Sequence, residues 1–199
     1  AYSAYLLLLT GALFGGFRLR ISRLNRRTRL LERAVEERTR EVVRQRDEIE
    51  EQRTQILDSI KYAERIQKSI LPDALQLREH FQYCFVFNRP KDILSGDFYW
   101  FHKLDRELIL ALVDCTGHGV PGALMSMIGK MLLAQIVIEH RVSNPAEILL
   151  QMHYGIRQLL KQGEEGASQD GMEIAICTFT DHSLLFAGAR QPLYYTDNS

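Results

Sequence analysis

Leu108-Ile109-Leu110-Ala111-Leu112-Val113-Asp114-Cys115-Thr116-Gly117-His118-Gly119-Val120-Pro121-Gly122 is the stretch from which the rest of the chain can be read. Its first six residues are an uninterrupted aliphatic run and predict a strand. An acid ends that strand, and the glycines at 117, 119 and 122 make the following loop flexible enough for its backbone to approach a ligand closely. Asp114 is therefore a carboxylate at a strand terminus beside a binding-type loop.

Working outward, the runs 174–179 and 184–186 also read as strands, and 81–87 is a β-like aromatic run. Between them, 122–140 and 145–161 carry helical spacing of Leu, Met and Ile, with Asn144 as a cap before Pro145. Met125, Met127, Met131 and Met152 read as helix packing. Strands, two helices and strands again predict a layered α/β or α+β domain. Two more acids stand at element boundaries. Asp97 lies in Leu94-Ser95-Gly96-Asp97-Phe98-Tyr99-Trp100, and Asp170 follows the polar loop 163–169 and precedes Gly171. Singly, an acid beside glycine is a turn residue. Three that converge would suit a hard cation, which prefers carboxylate oxygen and water.

Upstream, residues 18–71 contain neither Gly nor Pro, and Pro72 would stop a helix that reached it. Ile21, Val35, Val42, Ile49, Ile56, Ala63 and Ile70 recur at heptad spacing, with Leu24, Leu31 and Ile66 at the second seam position, which predicts a parallel coiled-coil dimer. Thr28, Arg38, Gln45, Gln52 and Ser59 interrupt the seam, so its pairing is weak, and Glu36 and Arg40 form an i,i+4 pair on the flank. Over 58–72 the helical period continues with apolar residues on more than one face, the mark of a segment that docks onto the domain after it. Residues 1–17 are rich in Leu and uncharged, which reads as the end of a transmembrane helix with Tyr2 and Tyr5 as interfacial residues. Arg18, Arg20, Arg23, Arg26, Arg27 and Arg29 follow and mark the cytoplasmic side.

The expected organisation is thus the end of a transmembrane helix (1–17), a coiled-coil signalling helix (18–57), a linker or switch helix (58–72) and a catalytic domain (73–199). A formal net charge of zero over 199 residues gives no global argument for nucleic acid. Cys84, Cys115 and Cys177 have no CxxC spacing and read as reduced core residues.

The runs Arg89-Pro90-Lys91-Asp92-Ile93-Leu94-Ser95-Gly96-Asp97-Phe98-Tyr99-Trp100, Asp114 to Ala123 and Asp170-Gly171-Met172 together resemble the SpoIIE/RsbU branch of the PPM phosphatases, relatives of protein phosphatase 2C. The resemblance covers residues 58–199 and includes the Ile70-Leu71-Pro72 ending of the preceding helix. It implies an α+β fold, an αββα sandwich here incomplete, with two Mn²⁺ or Mg²⁺ ions between the sheets. It implies that Asp114 bridges both ions and Asp97 holds one, that the carbonyl of Cys115 completes a shell, and that Asp170 contributes nearby. His118 is a candidate general acid beside that site, although some relatives have Lys there.

Two departures stand out. Trp100 occupies a place where the family commonly has Asp, and Asp197 is followed by Asn198 rather than Gly, so the family's late metal-binding role is not carried to it. A C-terminally truncated domain is the expectation. The function implied is a bacterial serine/threonine phosphatase at the inner (cytoplasmic) membrane, acting on a phosphorylated regulatory protein of the anti-sigma-factor antagonist type. The alternatives are a catalytically silent dimeric signalling module and a nucleotide cyclase, which would need base- and ribose-binding residues not found in the sequence.

Overall fold

Four runs of aliphatic and aromatic residues pair as strands, and alternate side chains of the first three are buried in a common apolar layer. The computed structural model describes residues 2–72, 74–164 and 168–196, and their side chains except those of 2–10, 12, 13, 74 and 75. In it Phe98–Leu104 (β1), Glu107–Cys115 (β2), Met172–Phe179 (β3) and Leu184–Ala189 (β4) form one antiparallel sheet in the order β1-β2-β3-β4. The two residues Asp105 and Arg106 close the first hairpin, with Asp105 at φ 56°, a conformation Asp tolerates. A second tight connection, 180–183, is closed by the Thr180 hydroxyl, which accepts from the backbone amides of His182 and Ser183.

Phe98, Trp100 and Leu104 of β1, Ile109, Ala111, Val113 and Cys115 of β2, and Ile174 and Ile176 of β3 share the buried face of this sheet. The helices are Tyr2–Ile70 (α1), Ala74–Leu77 (α2), Val120–Ala134 (α3) and Pro145–Leu159 (α4). α3 packs against β1 and β2, and α4 against β3 and β4. Leu133, Val137, Ile148 and Met152 fill the layer between. Thr178 is buried among them at no unpaired cost, since its hydroxyl donates to the Ser143 carbonyl at 2.6 Å.

The fold is α+β, with α3 and α4 on one face of the sheet. Of the four layers of an αββα sandwich, the described residues build one sheet and one helical layer. Both predicted helices are present with shifted ends. α3 begins two residues early, where Gly119 at φ 66° turns the chain and Pro121 fits the first turn. It ends in a π-helical turn, Gln135–Glu139, rather than continuing as α-helix. Asn144 caps α4, its side chain accepting from the Ala146 and Glu147 amides. Met125 and Met152 are core residues as expected, but Met127 and Met131 lie on the outer face of α3 and are exposed, a correction to the packing read for all four. The span Val120–Glu139 is long and apolar enough to cross a membrane, yet half of it is buried inside the fold, as befits a core helix.

A second correction concerns 81–87, which is not a strand. Its residues lie over the other face of the sheet, lining a cavity of about 370 Å³ with Tyr99, Leu110, Leu112 and Phe179. Phe81 meets Phe179 edge to face, with ring centroids 5.1 Å apart. Its aromatic side chains are used to cover a sheet face, and its backbone joins no ladder.

The chain divides into two compact units, Ala1–Ile56 and Leu57–Ser199. In the first, Ile21, Leu24, Leu31, Val35, Val42, Ile49 and Ile56 present an exposed apolar seam, and Arg40 pairs with Glu36 at 2.6 Å. Of the residues read as a membrane end, Phe14 and Phe17 are exposed, and the side chains of 2–10, those of Tyr2 and Tyr5 among them, lie outside those described. In the second unit the last turns of α1 are anchored: Leu71 packs on the core, Lys130 donates to the Ile70 carbonyl, and Tyr99 donates to the Pro72 carbonyl at 2.9 Å. An ammonium at the C-terminus of a helix is favourably placed for the orphan carbonyls there. Burial in that position lowers the Lys130 pKa from its ordinary value.

Candidate functional site

The β1–β2 register brings two of the predicted acids together. Phe98 lies opposite Val113, so the residue before it, Asp97, falls across from Asp114 on the same sheet face. On the other side of Asp114 the register places Glu173. Three carboxylates thus stand in a row at one end of the sheet, and among the described residues only Glu173 has an ion-pair partner, Arg190 at 3.1 Å. Like charges directly opposite one another in a sheet are destabilising. The surrounding loop removes water from the Asp97 carboxyl and raises its pKa, and the charge of Asp114 and a hydrogen bond between the two carboxyls raise it further.

Three glycines make the close approach possible. A side chain at Gly96 would stand 3.1 Å from the Gly117 carbonyl and 3.3 Å from the Cys115 carbonyl. At Gly122 it would stand 2.6 Å from the Gly117 carbonyl and 3.1 Å from Gly96. Gly117 itself has φ 87°, which favours glycine. The Asp97 loop therefore rests on the backbone oxygens of the Asp114 loop. Ser95 holds it there, its hydroxyl accepting from the Asp97 amide at 3.1 Å and donating to the Asp97 carbonyl at 2.9 Å.

The Cys115 side chain points into the core, as expected of a reduced core residue. Burial first, and then the charges of Asp97 and Asp114, push its thiol up to about 12. At neutral pH it is a thiol and no thiolate ligand. Its backbone oxygen lies 3.3 Å from where a side chain at Gly96 would stand, next to the Asp97 loop. The donor set is then two facing carboxylates and carbonyls, all oxygen, which fits Mg²⁺ or Mn²⁺. No group of three or more His, Cys, Asp or Glu side chains suited to a metal occurs among the described residues, so water or substrate would fill the other positions.

Asp170 reaches the same end of the sheet but is engaged otherwise. Its carboxylate accepts from Ser168 at 2.5 Å and from the Thr116 hydroxyl at 3.3 Å, and its carbonyl accepts from Gln162 at 2.6 Å. Thr116 also exchanges bonds with Gly171, whose amide donates to its hydroxyl at 2.8 Å. Asp170 and Thr116 together pin the Asp114 loop to the start of β3. His118 is exposed, and its Nδ1 lies 2.6 Å from the Asp92 carboxylate, which orients the ring. Trp100 is buried on the opposite face from Asp97, so an indole fills the core at that position. Asp197 lies outside the described residues.

Sequence reasoning missed Glu173, Arg190 and Asp92 as members of this constellation. Asp92 sits in the quoted run five residues before Asp97 and could have been flagged there. Glu173 could not, since its place depends on the β2–β3 register.

No family model matches the chain, and no curated protein matches it. Among solved structures, the SiaA-PP2C domain of Pseudomonas aeruginosa is similar, at 31% identity and a TM-score of 0.61, over 69% of this chain and 55% of that one. The chain spans a little over half the length of that structure.

Proposed function

We propose, for a chain whose globular part is a phosphatase domain of the PPM/SpoIIE, PP2C-like type, that it hydrolyses phosphoserine or phosphothreonine on a regulatory protein by a metal-activated water. The observation that carries the reading is the facing pair Asp97 and Asp114 with the Cys115 carbonyl beside them. These groups would hold Mn²⁺ or Mg²⁺. Two such ions, when bound, make a water more acidic, orient it and neutralise charge on the phosphoryl oxygens.

The chain's own residues supply the rest. Ser95 and Gly96 set the height of the Asp97 loop, and Thr116 with Asp170 fixes the Asp114 loop, so both carboxylates are held before a cation arrives. Holding two anions side by side costs stability in the absence of a cation, which is the expected cost of a preformed site. Arg190, beyond Glu173 in the same row, adds a cationic group for a phosphoryl oxygen. His118, turned by Asp92, can give a proton to the departing serine or threonine oxygen.

The exposed seam of the first unit suits a parallel homodimer, and the arginine cluster at 18–29 suits the cytoplasmic face of the inner membrane. A phosphorylated anti-sigma-factor antagonist is the substrate class proposed, and no nucleic acid is involved.

The test is release of inorganic phosphate from a phosphoserine peptide by the full-length protein. Release is expected with Mn²⁺ or Mg²⁺, to stop on chelation with EDTA and to return when the ion is restored. Release that ignores EDTA would overturn the metal-dependent mechanism, and no release with either ion would favour the silent signalling module.

A further inference from the structure

Gln67 lies in the last turns of α1 and is one of three buried polar residues among those described, at 5% exposure, the others being Ser126 and Thr178. An apolar side chain would pack there without the cost of burying an amide. The amide is instead hydrogen-bonded through both its nitrogen and its oxygen. Its Nε2 donates to the Ser95 carbonyl at 2.6 Å and to the Ser126 hydroxyl at 3.0 Å, while its Oε1 accepts from the Ser95 amide at 3.3 Å. The Ser126 hydroxyl donates to Ala123, so it has a lone pair to offer Gln67. The orientation is unambiguous, since a flipped amide would set oxygen against the Ser95 carbonyl and nitrogen against the Ser95 amide.

Both backbone polar groups of Ser95 are thereby clamped by a single side chain from another element. Ser95 in turn holds both backbone polar groups of Asp97 through its hydroxyl. Two hydrogen-bonded links separate Gln67 from Asp97. Leu94, the neighbour of Ser95, is buried at 3% exposure, so the clamp acts on a loop already seated on the core. Nothing else in α1 reaches this loop with a polar group among the hydrogen bonds described.

We propose that Gln67 is the positioning residue of the cation site: through Ser95 it sets Asp97 opposite Asp114, so that the site depends on the final turn of α1. The proposal rests on the reading of Asp97 and Asp114 as cation ligands. A group that orients a ligand typically changes metal affinity by about 10- to 100-fold when removed.

The experiment compares the full-length protein with its Gln67→Leu and Ser95→Ala variants by two measurements. Mn²⁺ uptake is followed from the loss of the free-ion EPR signal, with Asp114→Asn as the control that defines site-specific uptake. Amide hydrogen exchange is followed in the metal-free protein. Gln67→Leu is expected to weaken Asp114-dependent Mn²⁺ uptake about tenfold or more and to speed exchange over 95–97 while β3 stays protected. Ser95→Ala, at a partly exposed position, is expected to weaken uptake in the same direction. Wild-type uptake and exchange in Gln67→Leu would overturn the proposal, and so would wild-type uptake in Ser95→Ala if Gln67→Leu loses protection throughout. Absence of Asp114-dependent uptake in the unaltered protein would instead sink the metal reading and this proposal with it, and unchanged exchange beside intact uptake would sink the proposal alone.

Discussion

Asp114→Asn is expected to lower cation-dependent phosphoserine hydrolysis by about three orders of magnitude, roughly 4 kcal/mol of transition-state stabilisation. Asp114 is the middle member of the acid row, with Asp97 across one ladder and Glu173 across the other. It is also the acid whose chain neighbour turns a carbonyl toward Gly96. Its loss therefore removes the ligand that both halves of the proposed site share. The same change has an opposite effect on the metal-free protein. It replaces one of two facing carboxylates by a neutral amide of equal size, which relieves repulsion of about 0.2–1 kcal/mol. Urea unfolding in EDTA should place Asp114→Asn at or above the unaltered protein in stability, while Mn²⁺ should stabilise only the latter. A variant that kept its cation-dependent turnover, or that was markedly less stable without metal, would assign Asp114 to structure.

Gly122→Ala should cost about 3 kcal/mol in stability, the upper part of the range for forced overpacking. It should also weaken Mn²⁺ uptake by about 100-fold, the upper part of the range for lost ligand support. The added methyl would lie 2.6 Å from the Gly117 carbonyl and 3.1 Å from Gly96. Neither neighbour is a flexible side-chain tip. Relief requires moving backbone, and the backbone in question carries Asp97 on one side and follows Asp114 on the other. Gly129→Ala is the informative comparison, because its methyl meets the ends of Met172 and Phe98 at 3.0 Å, which can yield. Chemical denaturation and Mn²⁺ titration of the two variants separate crowding in general from crowding of the site. Equal behaviour of Gly122→Ala and Gly129→Ala would remove Gly122 from the argument.

Much of this architecture was readable from short-range pattern. The runs beginning at Leu108 and Ile174 are aliphatic enough to be strands in any context, and Asn144 before Pro145 marks a helix start by its own chemistry. The facing of Asp97 and Asp114 was not readable in the same way. It depends on a two-residue connection at Asp105-Arg106, and one residue more or less would move Asp97 to the other face. The resemblance named both acids, but the register explains why they meet. Glu173 and Arg190 join the row only through long-range pairing. The error at 81–87 has the same origin, since an aromatic run can cover a sheet as well as extend one. Gln67 was invisible for another reason. Within Ile66-Gln67-Lys68 an amide looks like surface, and only the docked helix reveals two serines waiting for it.

The state of Cys115 has a practical consequence. Its sulfur is buried and protonated at neutral pH, and Cys177 is likewise buried with its thiol pushed upward by desolvation. Alkylating reagents act on accessible thiolate. Cys84 is half-buried beside the cavity formed by the aromatic segment, a correction to the core position read for all three cysteines, and is left as the preferred point of attachment for a fluorophore or spin label. A reporter placed there would watch the sheet face that the aromatic segment covers, with no cysteine removed and neither carboxylate disturbed.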